Sequence, residues 1–277
     1  MSKKLRALYS LKYNPFSPEV PVSALFLTPA VEHFCWRIEH QLDEGGFALV
    51  TGVPGSGKSA ALRIVADRLG ALGDVQVGIL TRPHASVADF YRELGDLFAV
   101  TLTPSNRWGG AQALRQKWIA HIESSLFRPV LLIDEAQSMA PGALNELRLL
   151  ASAELDSRSI LTVVLAGDER LGRKLQTDEL LPIASRIRCR LRCGPVEAQT
   201  LHECLVYHLR QAGNPRLIAK PVMQALCEHA AGNHRVLMNM ANDLLAAALQ
   251  REAEQIDERL FFEVFDIQAA SARGSGA

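Results

Sequence analysis

Residues 52–59 read GVPGSGKS and follow directly on the apolar run FALVT at 47–51. This stretch restricts what the chain can fold into more than any other. It fits G-x-x-x-x-G-K-[ST], a pattern that carries meaning only where a buried strand enters a glycine-rich turn and the turn opens a helix. Both flanks comply: FALVT is a short apolar strand, and SAALRIVADRLGAL has helical periodicity. In that setting Gly52, Pro54, Gly55, Ser56 and Gly57 form a turn whose backbone N–H groups point inward at phosphate oxygens, and the helix N-terminus adds a favourable dipole. Lys58 is placed to reach the β- and γ-phosphates, and Ser59 to coordinate Mg²⁺. The bland alternative is an incidental glycine-rich turn, which leaves the matching flanks unexplained.

A second motif, PVLLIDEA at 129–136, supplies the complementary chemistry. Its apolar residues make a buried strand, and Asp134 stands at the C-terminal end, where open α/β sheets bind ligands. Asp134 would share the Mg²⁺ shell with Ser59. Glu135, a second carboxylate with a different job, is positioned to orient or polarise the attacking water. Read blandly, the two are solvated strand-end acids. Cradle and acidic strand together point to hydrolysis of a nucleoside triphosphate and not to binding alone.

Strands and helices alternate from residue 46. After FALVT come VQVGIL (75–80), PVLLIDE (129–135), ILTVVLAG (160–167) and RCRLRC (188–193), separated by helical stretches. Such alternation predicts an α/β fold with a parallel sheet covered on both faces. After GPVEAQT the pattern becomes purely helical, over about 197–211, 219–231, 235–251 and 257–267. The expected organisation is a lead-in over 1–45 packing on the core, a nucleotide-binding core over 46–195, a small all-helical domain over 196–268 and a disordered tail over 269–277.

With 277 residues and 48% hydrophobic content the chain is of ordinary globular type, and its formal net charge of zero provides no global field toward nucleic acid or membrane. No apolar run is long enough to span a bilayer, and the basic N-terminus lacks the apolar stretch of a secretory signal. Five scattered cysteines suit reduced thiols in a cytoplasm. Cys189 and Cys193 lie four apart, but RCRLRC alternates strictly, so buried strand cysteines are the reading preferred to a zinc site.

Two arginines refine the class. Arg186 precedes the fifth strand, where a ring-forming ATPase offers an arginine to its neighbour's γ-phosphate; Arg235 opens a helix of the C-terminal region and could reach back across a nucleotide. The order GVPGSGKS, LLIDEAQ, ASRI, GNHR, with closing helices, resembles the AAA+ ATPases, specifically the ExeA/TniB/TnsC/MuB-like group. The resemblance covers roughly residues 9–250, including the lead-in YNPFSPEVP. It implies a P-loop core with sheet order 5-1-4-3-2, a C-terminal helical lid, and ATP with Mg²⁺ held between core and lid. Lys58 and Ser59 become the Walker A pair, Asp134 and Glu135 the Walker B pair, Arg186 an arginine finger acting in trans and Arg235 the sensor-2 arginine. One place departs from many relatives: a polar sensor-1 residue is expected at the end of the fourth strand, and the chain reads Ala166-Gly167-Asp168 there. Asp168 is the candidate, although a third acid near a γ-phosphate needs a different role. DEAQ also occurs in nucleic-acid helicases, but the helical segment after the core is too short for a second RecA-like domain.

Three uses of hydrolysis compete. One is a homo-oligomer, ring or filament, that assembles on double-stranded DNA through mostly backbone contacts and recruits or activates a partner transposase. Another is an ExeA-like ATPase of secretion or pilus machinery, disfavoured here because such proteins usually continue into a membrane span and this chain ends soon after its last helix. A third is a protein remodeller. Arg186, Arg188, Arg190 and Arg192 make a basic stripe on one strand face. Arg82, His84, Arg107 and Trp108, in segments read as loops, are further candidates to meet phosphates, a sugar or a base. Taken singly, a solvated surface or a packed Trp is the preferred reading of each, and it is the family resemblance that favours DNA.

Overall fold

In the computed structural model the five apolar runs pair into one parallel sheet. Residues 2–80, 86–100, 107–124, 127–154 and 158–265 are described. The strands are β1 (Gly46–Gly52), β2 (Val75–Leu80), β3 (Arg128–Ile133), β4 (Thr162–Gly167) and β5 (Ile187–Cys193). Their spatial order is β2-β3-β4-β1-β5, the 5-1-4-3-2 arrangement. All four pairings are parallel. β4 is buried throughout and β3 nearly so, which explains their unbroken apolar sequences: a strand covered on both faces has no polar side to alternate with. β5 lies at the sheet edge, and there alternation returns, with Cys189 and Leu191 buried and Arg188, Arg190 and Arg192 exposed.

The chain divides into two compact units. One comprises Leu27–Val53 and Lys58–Cys193 and contains the sheet. Its helices are α2 (Pro29–Gln41), α3 (Lys58–Gly70), α4 (Val87–Leu97), α5 (Arg107–Glu123), α6 (Pro141–Ala151), α7 (Glu169–Lys174) and α8 (Leu181–Ala184). Phe98 and Trp118 meet edge to face, with ring centroids 5.1 Å apart, in a core completed by Leu131, Leu147 and Leu165. Such pairs contribute about 1 kcal/mol beyond the area they bury.

The other unit comprises Met1–Phe26, Pro54–Gly57 and Gly194–Ala277. It holds α1 (Ser2–Tyr9), α9 (Ala198–Ala212), α10 (Lys220–His229), α11 (His234–Arg251) and a helix over 258–265. Leu5, Tyr9, Leu11 and Phe16 are buried against Leu209, Leu245 and Leu249, and the Tyr9 hydroxyl donates to the Ala253 carbonyl at 2.8 Å. The lead-in expected over 1–45 is therefore shared: residues up to Phe26 pack with the C-terminal helices, and those from Leu27 pack with the sheet. The apolar face of α1 selects the first partner, and α2, capped by the Thr28 side chain, selects the second by burying Phe34, Cys35 and Ile38.

Candidate nucleotide-binding and hydrolysis site

The turn between β1 and α3 takes the backbone shape its glycines allow. Gly55 and Gly57 have φ of +82° and +95°, values that side-chain-bearing residues rarely adopt. Gly55 is required a second time by packing: a Cβ there would stand 2.3 Å from Asn233 Oδ1 and 2.8 Å from Arg235 Cβ. Asn233 is the N-cap of α11 and accepts from the N–H groups of Arg235 and Val236 at 3.0 and 3.2 Å. Its Nδ2 donates to the Pro54 carbonyl at 3.0 Å, and the Arg235 N–H also reaches the Gly55 carbonyl at 3.2 Å. The turn is thus tied to the first residues of α11. The Arg235 side chain is exposed there.

Lys58 is the first residue of α3, buried, with its ammonium donating to the carbonyls of Gly52 and Val53 at 2.9 and 3.1 Å. Ser59 Oγ donates to Asp134 Oδ2 at 2.8 Å. A serine hydroxyl beside a carboxylate is an oxygen donor pair of the kind a Mg²⁺ ion takes, leaving its remaining positions to water and phosphate. The chain therefore fits the metal that its sequence implies.

Glu135 has φ +53° and ψ 34°, a left-handed conformation costing about 1–2 kcal/mol for a residue with a side chain. Its N–H donates to Asp134 Oδ1 at 2.9 Å. Gln137, which sequence reasoning missed, is 9% exposed and donates through Nε2 to Glu135 Oε2. Its Oε1 accepts the Asp168 N–H at 3.3 Å. The Lys174 ammonium donates to the carbonyls of Gln137 and Met139, pinning the turn's backbone, and burial depresses the lysine's pKa. The one sequence signal for Gln137 is its place two residues after Glu135, which becomes informative once the turn is seen to be a single 3₁₀ turn, Ala136–Ser138.

Asp168, the candidate at the end of the fourth strand, is not a free acid. It is the N-cap of α7, accepting from the Arg170 N–H at 2.9 Å, and its other oxygen is held by the Arg170 guanidinium. That hydrogen bond, foremost among several contributions, holds the carboxyl below its ordinary pKa. What Asp168 brings to the site is its backbone N–H.

Lys58, Ser59, Asp134, Glu135 and Gln137 thus converge at the C-terminal rim of the sheet. Arg186 does not. It precedes β5, and in a parallel sheet that is the opposite rim, about 20 Å away at the rise of an extended strand. There it lines a cavity of about 470 Å³ with Asp43, Glu44, Arg158, Ser159 and Arg188.

Of the proposed DNA contacts, Arg82 and His84 lie outside the described residues, as does the side chain of Arg107. Arg107 and Trp108 belong to the first turn of α5, not to a loop. Gly109 and Gly110 read as a turn in sequence, but at a helix start they precede any full set of intrahelical bonds and are tolerated. Trp108 is 77% exposed. Cys189 is buried, its thiol pushed up by burial, and no cluster of three metal-ligating side chains occurs among the described residues.

Residues 40–175 match the family model described as AAA domain. The chain is 28% identical over 256 residues to general secretion pathway protein A of Aeromonas hydrophila, covering 90% of this chain and 45% of that protein, so it spans less than half the relative's length. Among solved structures it resembles the Aeropyrum pernix ORC2 protein in its ADPNP-ADP complexes (TM-score 0.71, 13% identity, 93% of this chain and 72% of that one). It also resembles Cdc6p from Pyrobaculum aerophilum (TM-score 0.68, 14% identity, 87% and 67%). At such identities the likeness is one of fold. Domain match and fold agree that residues 40–175 form an AAA domain of P-loop fold, and with it that the chain is an ATPase.

Proposed function

We propose that this ATPase assembles as a homo-oligomer on double-stranded DNA in its ATP state, and there recruits or activates a partner transposase until hydrolysis releases it. Lys58 and the turn 52–57 bind the phosphates, with Arg235 as a further contact. Ser59 and Asp134 hold Mg²⁺, which supplies charge neutralisation on the phosphates when bound. Glu135 orients the attacking water. Arg186, at the rim remote from this chain's own cradle, serves the nucleotide of a neighbouring subunit.

The observation that carries the DNA reading is the edge strand β5. Arg188, Arg190 and Arg192 project from one face, successive side chains standing about 6.6 Å apart. Arg188 pairs with Glu44, whereas Arg190 and Arg192 are exposed with no acidic partner among the described residues. Edge strands are often blunted by charge, but three arginines in line, two of them uncompensated, in a chain of zero net charge suit a polyanion. Replacing Arg190 and Arg192 together by Ser should weaken binding to random-sequence duplex and lower the slope of log K against log salt by about 2. Unchanged affinity and slope would remove the edge strand as the contact surface.

The second reading, an ATPase serving secretion machinery, is favoured by the similarity to general secretion pathway protein A. No helix among the described residues is long and apolar enough to cross a membrane. The two readings differ in one measurable respect: the first requires duplex DNA as a ligand.

A further inference from the structure

We infer that Gln137 is a positioning residue for hydrolysis, holding the Glu135 carboxylate and coupling it to the end of β4. The inference rests on the reading of Glu135 as the group that orients the attacking water.

Three observations carry it. First, the Gln137 amide is buried and both of its ends are used, Nε2 on Glu135 Oε2 and Oε1 on the Asp168 N–H. An ionised carboxylate can only accept and a backbone N–H can only donate. A bridge between them needs a donor at one end and an acceptor at the other, which a primary amide provides; a carboxylate or a hydrocarbon of the same length fails at one or both ends. The same partners fix the orientation of the amide. Second, room for it is built in: a Cβ at Gly167 would stand 2.4 Å from Gln137 Oε1, so the last residue of β4 must be glycine for the amide to lie there. Third, the turn that presents Gln137 is fastened by Lys174 through two carbonyls, one of them Gln137's own. The fold thus fills the place where a polar side chain is expected at the end of the fourth strand by bringing one in from the acidic strand's own turn.

The consequence for the reaction is orientational. Glu135 sits exposed on a left-handed residue, and the amide restricts which of its oxygens remains open to water. Binding of nucleotide does not pass through Gln137, so its loss should slow turnover without loosening the substrate.

The test compares the full-length wild type with Gln137→Met, Gln137→Glu, Gly167→Ala, the double variant Gln137→Met/Gly167→Ala and Glu135→Gln. Turnover of MgATP and binding of a fluorescent ATP analogue are measured for each. Gln137→Met keeps length and burial but cannot bridge, and should lower kcat on the order of 10²-fold, as small misplacements of catalytic groups do. Its KM and analogue affinity should stay within about twofold of wild type, the pattern of an interaction specific to the transition state. Gln137→Glu, which keeps the acceptor for Asp168 but not the donor to Glu135, should be similarly slow. Gly167→Ala should reproduce the defect by displacing the amide, and the double variant should be no slower than either single one, since both remove one interaction. Wild-type kcat in Gln137→Met or Gln137→Glu, with Glu135→Gln inactive, would overturn the inference, as would additive losses in the double variant. Normal turnover in Glu135→Gln would instead overturn the role given to Glu135, and the positioning role with it.

Discussion

His208, on α9, is 7% exposed, and its Nδ1 has no hydrogen-bond partner among the described residues. Burial, with a smaller contribution from His234, pushes its pKa down from 6.5 to about 4. Between those values the unfolded chain binds a proton that the folded chain refuses. Stability therefore rises with pH through that window, is complete above about 6.5 and is lost as pH falls toward 4, by about 3 kcal/mol for this group. His234, also depressed by burial, adds in the same direction. Chemical denaturation at pH 7 and pH 4.5 should show His208→Leu losing markedly less stability on acidification than wild type; an equal loss would mean that other groups govern the acid limb. Nothing in the sequence distinguishes His208 from the seven other histidines, because the burial of one polar residue on a helix depends on tertiary packing that local spacing does not state. Lys58, Ser59, Asp134 and Glu135 were legible for the opposite reason. Their spacing is fixed by two local turns, and those turns work only with glycine, lysine and carboxylate at set positions.

At the scale of elements, the start of α11 links capping to the phosphate turn. GNH before an apolar periodic stretch is a readable helix-start signal, and Asn233 is indeed the cap. That the same amide also holds the Pro54 carbonyl was not readable, since it joins residues 179 apart. Asn233→Ala should cost about 1 kcal/mol of stability through the cap alone, measurable by urea titration. It should also weaken ATP binding, because the turn loses its support; full retention of affinity would show that the cap and the cradle are independent. The misreading of Arg107 and Trp108 as loop has the same physical origin as the correct reading of β5. Local pattern decides where one face is buried, as in Cys189 and Leu191 against Arg190 and Arg192, and fails where glycines fall in a first helical turn that tolerates them.

For the whole molecule, alternation of strand and helix was enough to predict a parallel sheet, because right-handed crossovers leave few ways to order five strands. The assignment of Met1–Phe26 to the helical unit was not legible, as it depends on side chains of α1 finding a surface made by residues after 194. Charge behaves likewise: a formal total of zero conceals a line of arginines on one exposed edge, and Arg186, at the rim away from this chain's own phosphate turn, is proposed to act on the nucleotide of a second copy. The most direct measurement is therefore particle size and binding to random-sequence duplex DNA, with a non-hydrolysable ATP analogue, with ADP and without nucleotide, for wild type and Arg186→Ala. The account predicts large DNA-bound assemblies with the analogue and not with ADP, and loss of ATP turnover in Arg186→Ala while the isolated subunit still binds nucleotide. ATP-dependent assemblies that ignore DNA, or wild-type turnover in Arg186→Ala, would contradict it.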